Sequence, residues 1–295
     1  MEKKFQIDFA SAVSQFEQAV KKFQIKKIIY KTIFRGKGLE FDTYRNFEQD
    51  DDSTLIDWKA SLRANKLLAK QYIEERDLNF YFVVDVSSSM LFGSGKKLKA
   101  EYAAEVIAAF SHLILSSGDN VGLVMFCDHD VKVIHPSKNK NQFFLFNKFL
   151  SDPYLYGGRI SIDKMVDYTT SIINSPFSVV ILISDFLHVS PVCERCLKLL
   201  GTRFETIAIM VRDPLDESIP SSNYQMVVQD PHSGRQIMID TSIASKKYEE
   251  HVIQQKHFLK NIFLESNIDL LELKTNTNFV IPTVSFLKAR ARGIA

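Results

Sequence analysis

Three side chains with the types and spacing to do chemistry, Asp85, Ser87 and Ser89, follow the apolar run Leu78-Asn79-Phe80-Tyr81-Phe82-Val83-Val84. That run is rich in aromatic and β-branched residues, the pattern of a strand buried on both faces. Open parallel sheets place their ligands beyond the carboxyl ends of such strands. All three side chains offer oxygen, the donor that hard cations such as magnesium take. The serines would equally suit the cap of a following helix. A second run, Val179-Val180-Ile181-Leu182-Ile183-Ser184, also ends in a carboxylate, Asp185.

The spacing Asp-x-Ser-x-Ser after a buried strand resembles the metal-ion-dependent adhesion site of von Willebrand factor type A (VWA) domains. The resemblance implies a threonine and a later strand-end aspartate as further ligands, and Asp185 is similar to the latter. Where the threonine loop would read Gly-Gly-Thr, this chain has Gly157-Gly158-Arg159-Ile160-Ser161. The implied metal ligands are Asp85, Ser87, Ser89 and Asp185, with Ser161 as a substitute hydroxyl. Magnesium would be weak or absent there, because Arg159 takes the usual threonine position and its guanidinium is permanently charged. Two arrangements stay open. Either Ser161 supplies the hydroxyl while Arg159 turns to solvent, or Arg159 pairs with Asp85 or Asp185 and stands in for the cation.

The elements that must position these residues read as alternating strands and helices, which predicts an α/β fold with a doubly wound, mostly parallel sheet. Residues 8–23 place Phe9, Val13, Phe16, Val20 and Phe23 at helical spacing, so their stripe is expected to dock on the main domain. Helices are expected over 98–115, 143–150, 162–173, 246–265 and 279–290, and strands over 120–127, 131–135, 204–211 and 269–273. Asp128-His129-Asp130 reads as a plain turn. An inserted β-hairpin is expected at about 224–240, around the turn signal Asp230-Pro231-His232-Ser233-Gly234. The predicted division is an N-terminal segment, 1–77, and an α/β domain, 78–290.

Composition narrows the classes. The chain has 295 residues, 45% hydrophobic and 24% charged, with net charge +2. That suits a globular core and excludes a general nucleic-acid binder. The first thirty residues lack a signal-peptide core, and no uncharged apolar stretch reaches membrane-spanning length, so a cytoplasmic protein without membrane insertion is expected. Three cysteines, Cys127, Cys193 and Cys196, make no disulfide framework, and the Cys193/Cys196 pair lacks the second pair a zinc site would want.

Upstream, Gly36, Gly38, Glu40, Phe41, Arg45, Phe47, Asp51, Asp52, Ile56, Asp57, Trp58 and Arg63 fall in the order typical of a bacterial VWA-fold family. The block resembles the domain of unknown function numbered fifty-eight. With the Val211-Arg212-Asp213-Pro214 and Asp230-Pro231-x-x-Gly234 pieces, the resemblance covers roughly residues 34–290. Trp58 is expected to anchor its segment to the domain. The acidic run ending in Asp51 and Asp52 gains from meeting a cation or an arginine; with Arg159, these two are the candidate partner contacts. The resemblance implies a non-enzymatic interaction or adaptor protein, with a variant metal site, working with a MoxR-type AAA+ ATPase in protein-complex assembly. The alternatives are a magnesium-dependent phosphotransferase using Asp85 as nucleophile, and a metal-independent scaffold. The phosphotransferase would want a second aspartate where Ser87 stands.

Overall fold

The computed structural model describes residues 5–22, 43–47, 56, 58–64, 66–71, 78–175, 177–220, 225–229 and 234–291. Its elements begin with α1 (Phe9–Lys22), β1 (Thr43–Asn46), α2 (Trp58–Ala64), β2 (Leu68–Gln71) and β3 (Asn79–Asp85). They continue with α3 (Lys99–Ser116), β4 (Asn120–Cys127), β5 (Asp130–Ser137), α4 (Asn141–Leu150), α5 (Ile162–Ile172) and β6 (Ser178–Ser184). The last are α6 (Cys193–Arg203), β7 (Glu205–Arg212), β8 (Gln225–Gln229), β9 (Gln236–Asp240), α7 (Thr241–Glu265), β10 (Asp269–Lys274) and α8 (Val280–Ala291).

The chain forms two compact units, one of Met1–Ile33 with Asp77–Ala295, the other of Phe34–Arg76. Residues 1–77 are therefore not one block. Helix α1 belongs with the large sheet, because its buried stripe of Ala12, Phe16 and Val20 is matched there. The Phe16 ring lies 5.1 Å from Phe110 of α3 and 6.1 Å from Phe279 beside α8. Burying such a ring contributes on the order of 1.5–3 kcal/mol.

In the smaller unit, β1 pairs antiparallel with β2, and the Leu68 N–H donates to Ser61 Oγ of α2 at 2.8 Å. Trp58, expected to anchor its segment to the domain, is 63% exposed. It is the first residue of a seven-residue helix. Gly36, Gly38, Asp51 and Asp52 lie outside the described residues.

The large sheet has the order β10-β7-β6-β3-β4-β5, parallel throughout except for β5 at the edge. This is the doubly wound, mostly parallel sheet that the sequence predicts. Helices cover both faces, so the inner strands run apolar without alternation: all of β6 is buried, and all of β3 but Asn79. On one face Tyr81, Val83 and Phe126 pack with Met165 of α5, Leu197 of α6 and Phe263 of α7. On the other, Phe82 meets Phe146 of α4 edge-on at 6.3 Å. At the edge, β5 slips register against β4 between Val121 and Leu123. A Cβ on Gly122 would lie 3.0 Å from both the Ile134 carbonyl and the Pro136 ring, so any other residue would make β5 give way by a few tenths of an ångström.

The expected insertion is present: β8 and β9 form a separate two-stranded antiparallel hairpin between β7 and α7. Its Val227, Ile237 and Met238 side chains are exposed. Helix α7 starts five residues earlier than its apolar periodicity suggests, because Asp240 Oδ1 accepts from the Ser242 N–H at 3.0 Å and caps it.

Candidate functional site

Strand β3 pairs with β4 on one side and β6 on the other, so the crevice beyond the ends of β3 and β6 is the topological switch point. Asp85 ends β3, Ser184 ends β6, and Asp185 follows at once. Asp85 Oδ1 accepts from the Ser87 N–H at 2.9 Å, and Oδ2 from the Ser184 hydroxyl at 2.6 Å. The Ser87 and Ser89 hydroxyls are 3.1 Å apart, and Ser87 caps no helix with its side chain. Four of the proposed ligands, Asp85, Ser87, Ser89 and Asp185, are thus brought together, all of them buried.

A lysine joins them. Lys99, the first residue of α3, donates from Nζ to Asp185 Oδ2 at 2.7 Å and to Asp216 Oδ2 at 2.9 Å. Asp185 Oδ1 accepts from the Leu187 N–H at 3.1 Å. Asp216 Oδ2 also takes the Asp213 N–H at 2.9 Å, which ties the turn after β7 into the cluster. Phe186, next to Asp185, holds φ at 49°, a conformation that costs a bulky residue about 1–3 kcal/mol. Its ring is fixed against Phe263 at 5.1 Å.

Burial and the neighbouring Asp185 carboxylate push Asp85 up to about 6. Burial would push Asp185 the same way, but the charge and hydrogen bond of Lys99 hold it below the usual carboxylate range. For Lys99, burial favours the neutral amine, and Asp185 with Asp216 outweigh it, so the ammonium is retained. The crevice floor is an ion-pair network whose positive member is a side chain.

Ser161 does not join the cluster. Its N–H donates to Asp128 Oδ1 at 2.8 Å and its hydroxyl to Oδ2 at 3.1 Å, so the β4–β5 turn holds it. The turn expected to be plain is therefore a fastening. Arg159 is exposed and takes the place of no cation; of the two arrangements left open, neither is adopted as stated. Its loop is stitched down by backbone bonds, Gly157 N–H to the Val86 carbonyl at 2.7 Å and Ser88 N–H to the Gly158 carbonyl at 3.0 Å. Gly158 needs its freedom twice, for φ of 73° and because a Cβ would sit 2.0 Å from the His129 ring.

This arrangement does not fit a divalent ion. Asp185 already shares one oxygen with an ammonium, and the substitute hydroxyl points elsewhere. Among the described residues, no three His, Cys, Asp or Glu side chains are grouped to hold a metal. Two unit charges 4 Å apart interact by about 4 kcal/mol at an effective dielectric of 20, so a doubly charged ion that close to the ammonium meets roughly twice that repulsion.

Sequence reasoning missed Lys99, Ser184, Asp128 and Asp216. Only Lys99 left a signal: a lysine opening a helix, where the dipole disfavours a cation. The cysteines are free; Cys196 donates to the Cys193 carbonyl at 3.0 Å, and burial pushes its thiol up to about 12. No helix among the described residues is long and apolar enough to cross a membrane.

The Mycobacterium bovis protein Mb1516, itself uncharacterised, is 26% identical over 270 residues, covering 88% of this chain and 81% of that protein. YeaD of Bacillus subtilis is 29% identical over 100 residues, 34% of this chain and 23% of that one. Among solved structures, BatB from Bacteroides thetaiotaomicron superposes with a TM-score of 0.46 at 15% identity, covering 73% of this chain and 99% of its own. The SpRpn10 VWA domain does so with 0.37 at 9%, covering 70% and 94%. The family model described as "Protein of unknown function DUF58" matches residues 43–258, which takes in both strand-end aspartates, Lys99 and the Arg159 loop. By that match, over most of its length, the chain belongs to the DUF58 family.

Proposed function

We propose that the protein is a non-enzymatic adaptor whose protein partner docks on the loops at the carboxyl edge of the large sheet, with Arg159 receiving an acidic group. One observation carries this reading: Arg159 is exposed on a loop clamped by backbone bonds to the Asp85 loop, over a buried charge network. Backbone bonds fix where the loop presents Arg159, and a solvated guanidinium there can receive a carboxylate by two parallel hydrogen bonds. The partner is a MoxR-type AAA+ ATPase, a choice that rests on the family resemblance. Burial of Asp85, with both oxygens engaged, supports the non-enzymatic reading, since a nucleophile must reach its substrate. Tagged protein used to capture partners from the source cell tests it. Wild type should retain an AAA+ ATPase and Arg159→Glu should lose it; equal capture by both would sink the proposal.

A further inference from the structure

We infer that the ε-ammonium of Lys99 is the resident cation of this crevice, and that its loops are held in a single arrangement without any divalent ion. The inference deepens the docking reading above, because it makes the docking edge constitutive rather than metal-gated.

The geometry carries it. Lys99 and Asp185 are each 1% exposed at the side chain, and Asp216 is 10% exposed. A buried ammonium is tolerated only when paired and hydrogen-bonded. Here it meets carboxylates from two different segments, the loop after β6 and the turn after β7, so one side chain ties α3 to both. The Phe92 ring lies 5.7 Å from the same nitrogen, which adds a cation–π contact. An ion that bridges loops at a strand-end crevice does the same job with coordinate bonds. The lysine does it with hydrogen bonds, and it cannot be chelated.

Position argues likewise. Lys99 stands at the first residue of α3, where the helix dipole is positive and a cation is disfavoured. Lys97, two residues earlier, puts its charge on Glu105 at 2.6 Å instead, outside the network. The ammonium is therefore placed against local preference, and the two carboxylates it neutralises are the compensation. Its removal would leave Asp185 and Asp216 without the cation they share, two buried carboxylates with oxygen free for a hard ion.

Thermal melting and calorimetric titration of the isolated protein with magnesium or manganese test this without a partner, so failure here is separate from failure of the docking reading. Wild type should show no saturable heat and no shift in melting temperature at millimolar metal. Lys99→Ala should melt lower than wild type and regain part of that loss, saturably, as either metal is added. Adding Asp185→Asn to Lys99→Ala should abolish the metal response. If Lys99→Ala does not accumulate folded, Lys99→Met, which keeps the aliphatic stem, takes its place with the same expected results. Saturable stabilisation of wild type by either metal overturns the inference, as does a folded Lys99 variant that melts like wild type or gains nothing from metal.

Discussion

The Ser184 hydroxyl donates to Asp85 Oδ2 at 2.6 Å and thereby joins the ends of the two central strands, β6 and β3, by side chains as well as by their ladder. Both groups are fully buried. Ser184 Oγ also accepts the Phe186 N–H at 3.0 Å, so one serine fixes the Asp85 carboxylate and the strained residue after Asp185. Ser184→Ala removes a hydrogen bond to a carboxylate and should cost about 1.5–3 kcal/mol in urea denaturation. A loss within experimental error would show that Asp85 is held by the Ser87 amide alone.

Asp213 is the acceptor for four donors from three segments. Ser94 gives its N–H at 2.9 Å and hydroxyl at 2.6 Å, Leu215 its N–H at 3.0 Å, and Thr275 its hydroxyl at 3.0 Å. Burial would raise its pKa, but these bonds hold it below the ordinary carboxylate value. Orphaning a buried donor costs about 1–3 kcal/mol, so Asp213→Ala should lose more than about 3 kcal/mol in guanidinium unfolding. Asp213→Asn, which keeps one oxygen, should fall between it and wild type; equal losses for the two would contradict the account.

Glu217 gives the chain an acid-sensitive clasp. Burial pushes its carboxyl up, yet Lys256 of α7, at 2.5 Å, and Lys274 of β10 hold it below its ordinary value of 4.5. The folded state thus binds its proton less readily than the unfolded chain. Its stabilisation is complete above the unfolded value and lost as pH falls through the lower folded one. Glu217→Gln should melt below wild type at neutral pH, and the gap should close with acidification below about 4.5. A gap independent of pH would mean that packing, not charge, is what the variant disturbs.

The two N-terminal aromatics should part company. Phe16 is fully buried on α1, so Phe16→Ala should cost about 3–5 kcal/mol. Trp58 is mostly exposed, and Trp58→Ala should stay within about 0.5 kcal/mol of wild type in the same urea titration. Comparable losses at both positions would contradict the burial pattern.

The sheet was legible because the inner strands announce themselves as unbroken apolar runs, and the residues after two of those runs are the site's carboxylates. Lys99 was legible only as a lysine unfavourably placed at a helix start, since the sequence does not say whether such a side chain faces water or two buried aspartates. Ser161 misled for a related reason. Its spacing from Gly158 suits a ligand loop, but the Asp128 carboxylate, thirty-three residues away in sequence, wins the hydroxyl. Long-range polar pairing leaves no periodicity, and periodicity is what the apolar pattern supplies.

The slip between Val121 and Leu123, with Pro136 lodged over Gly122, has a bearing on how copies of this chain behave at high concentration. An edge strand normally offers a row of free N–H and C=O groups on which another chain can build. On β5 that row is interrupted at Pro136, which has no N–H to give, close to the register slip against β4. Sheet extension is therefore interrupted at the Ser137 end of β5, and an added chain could pair without a break only with the residues before Pro136.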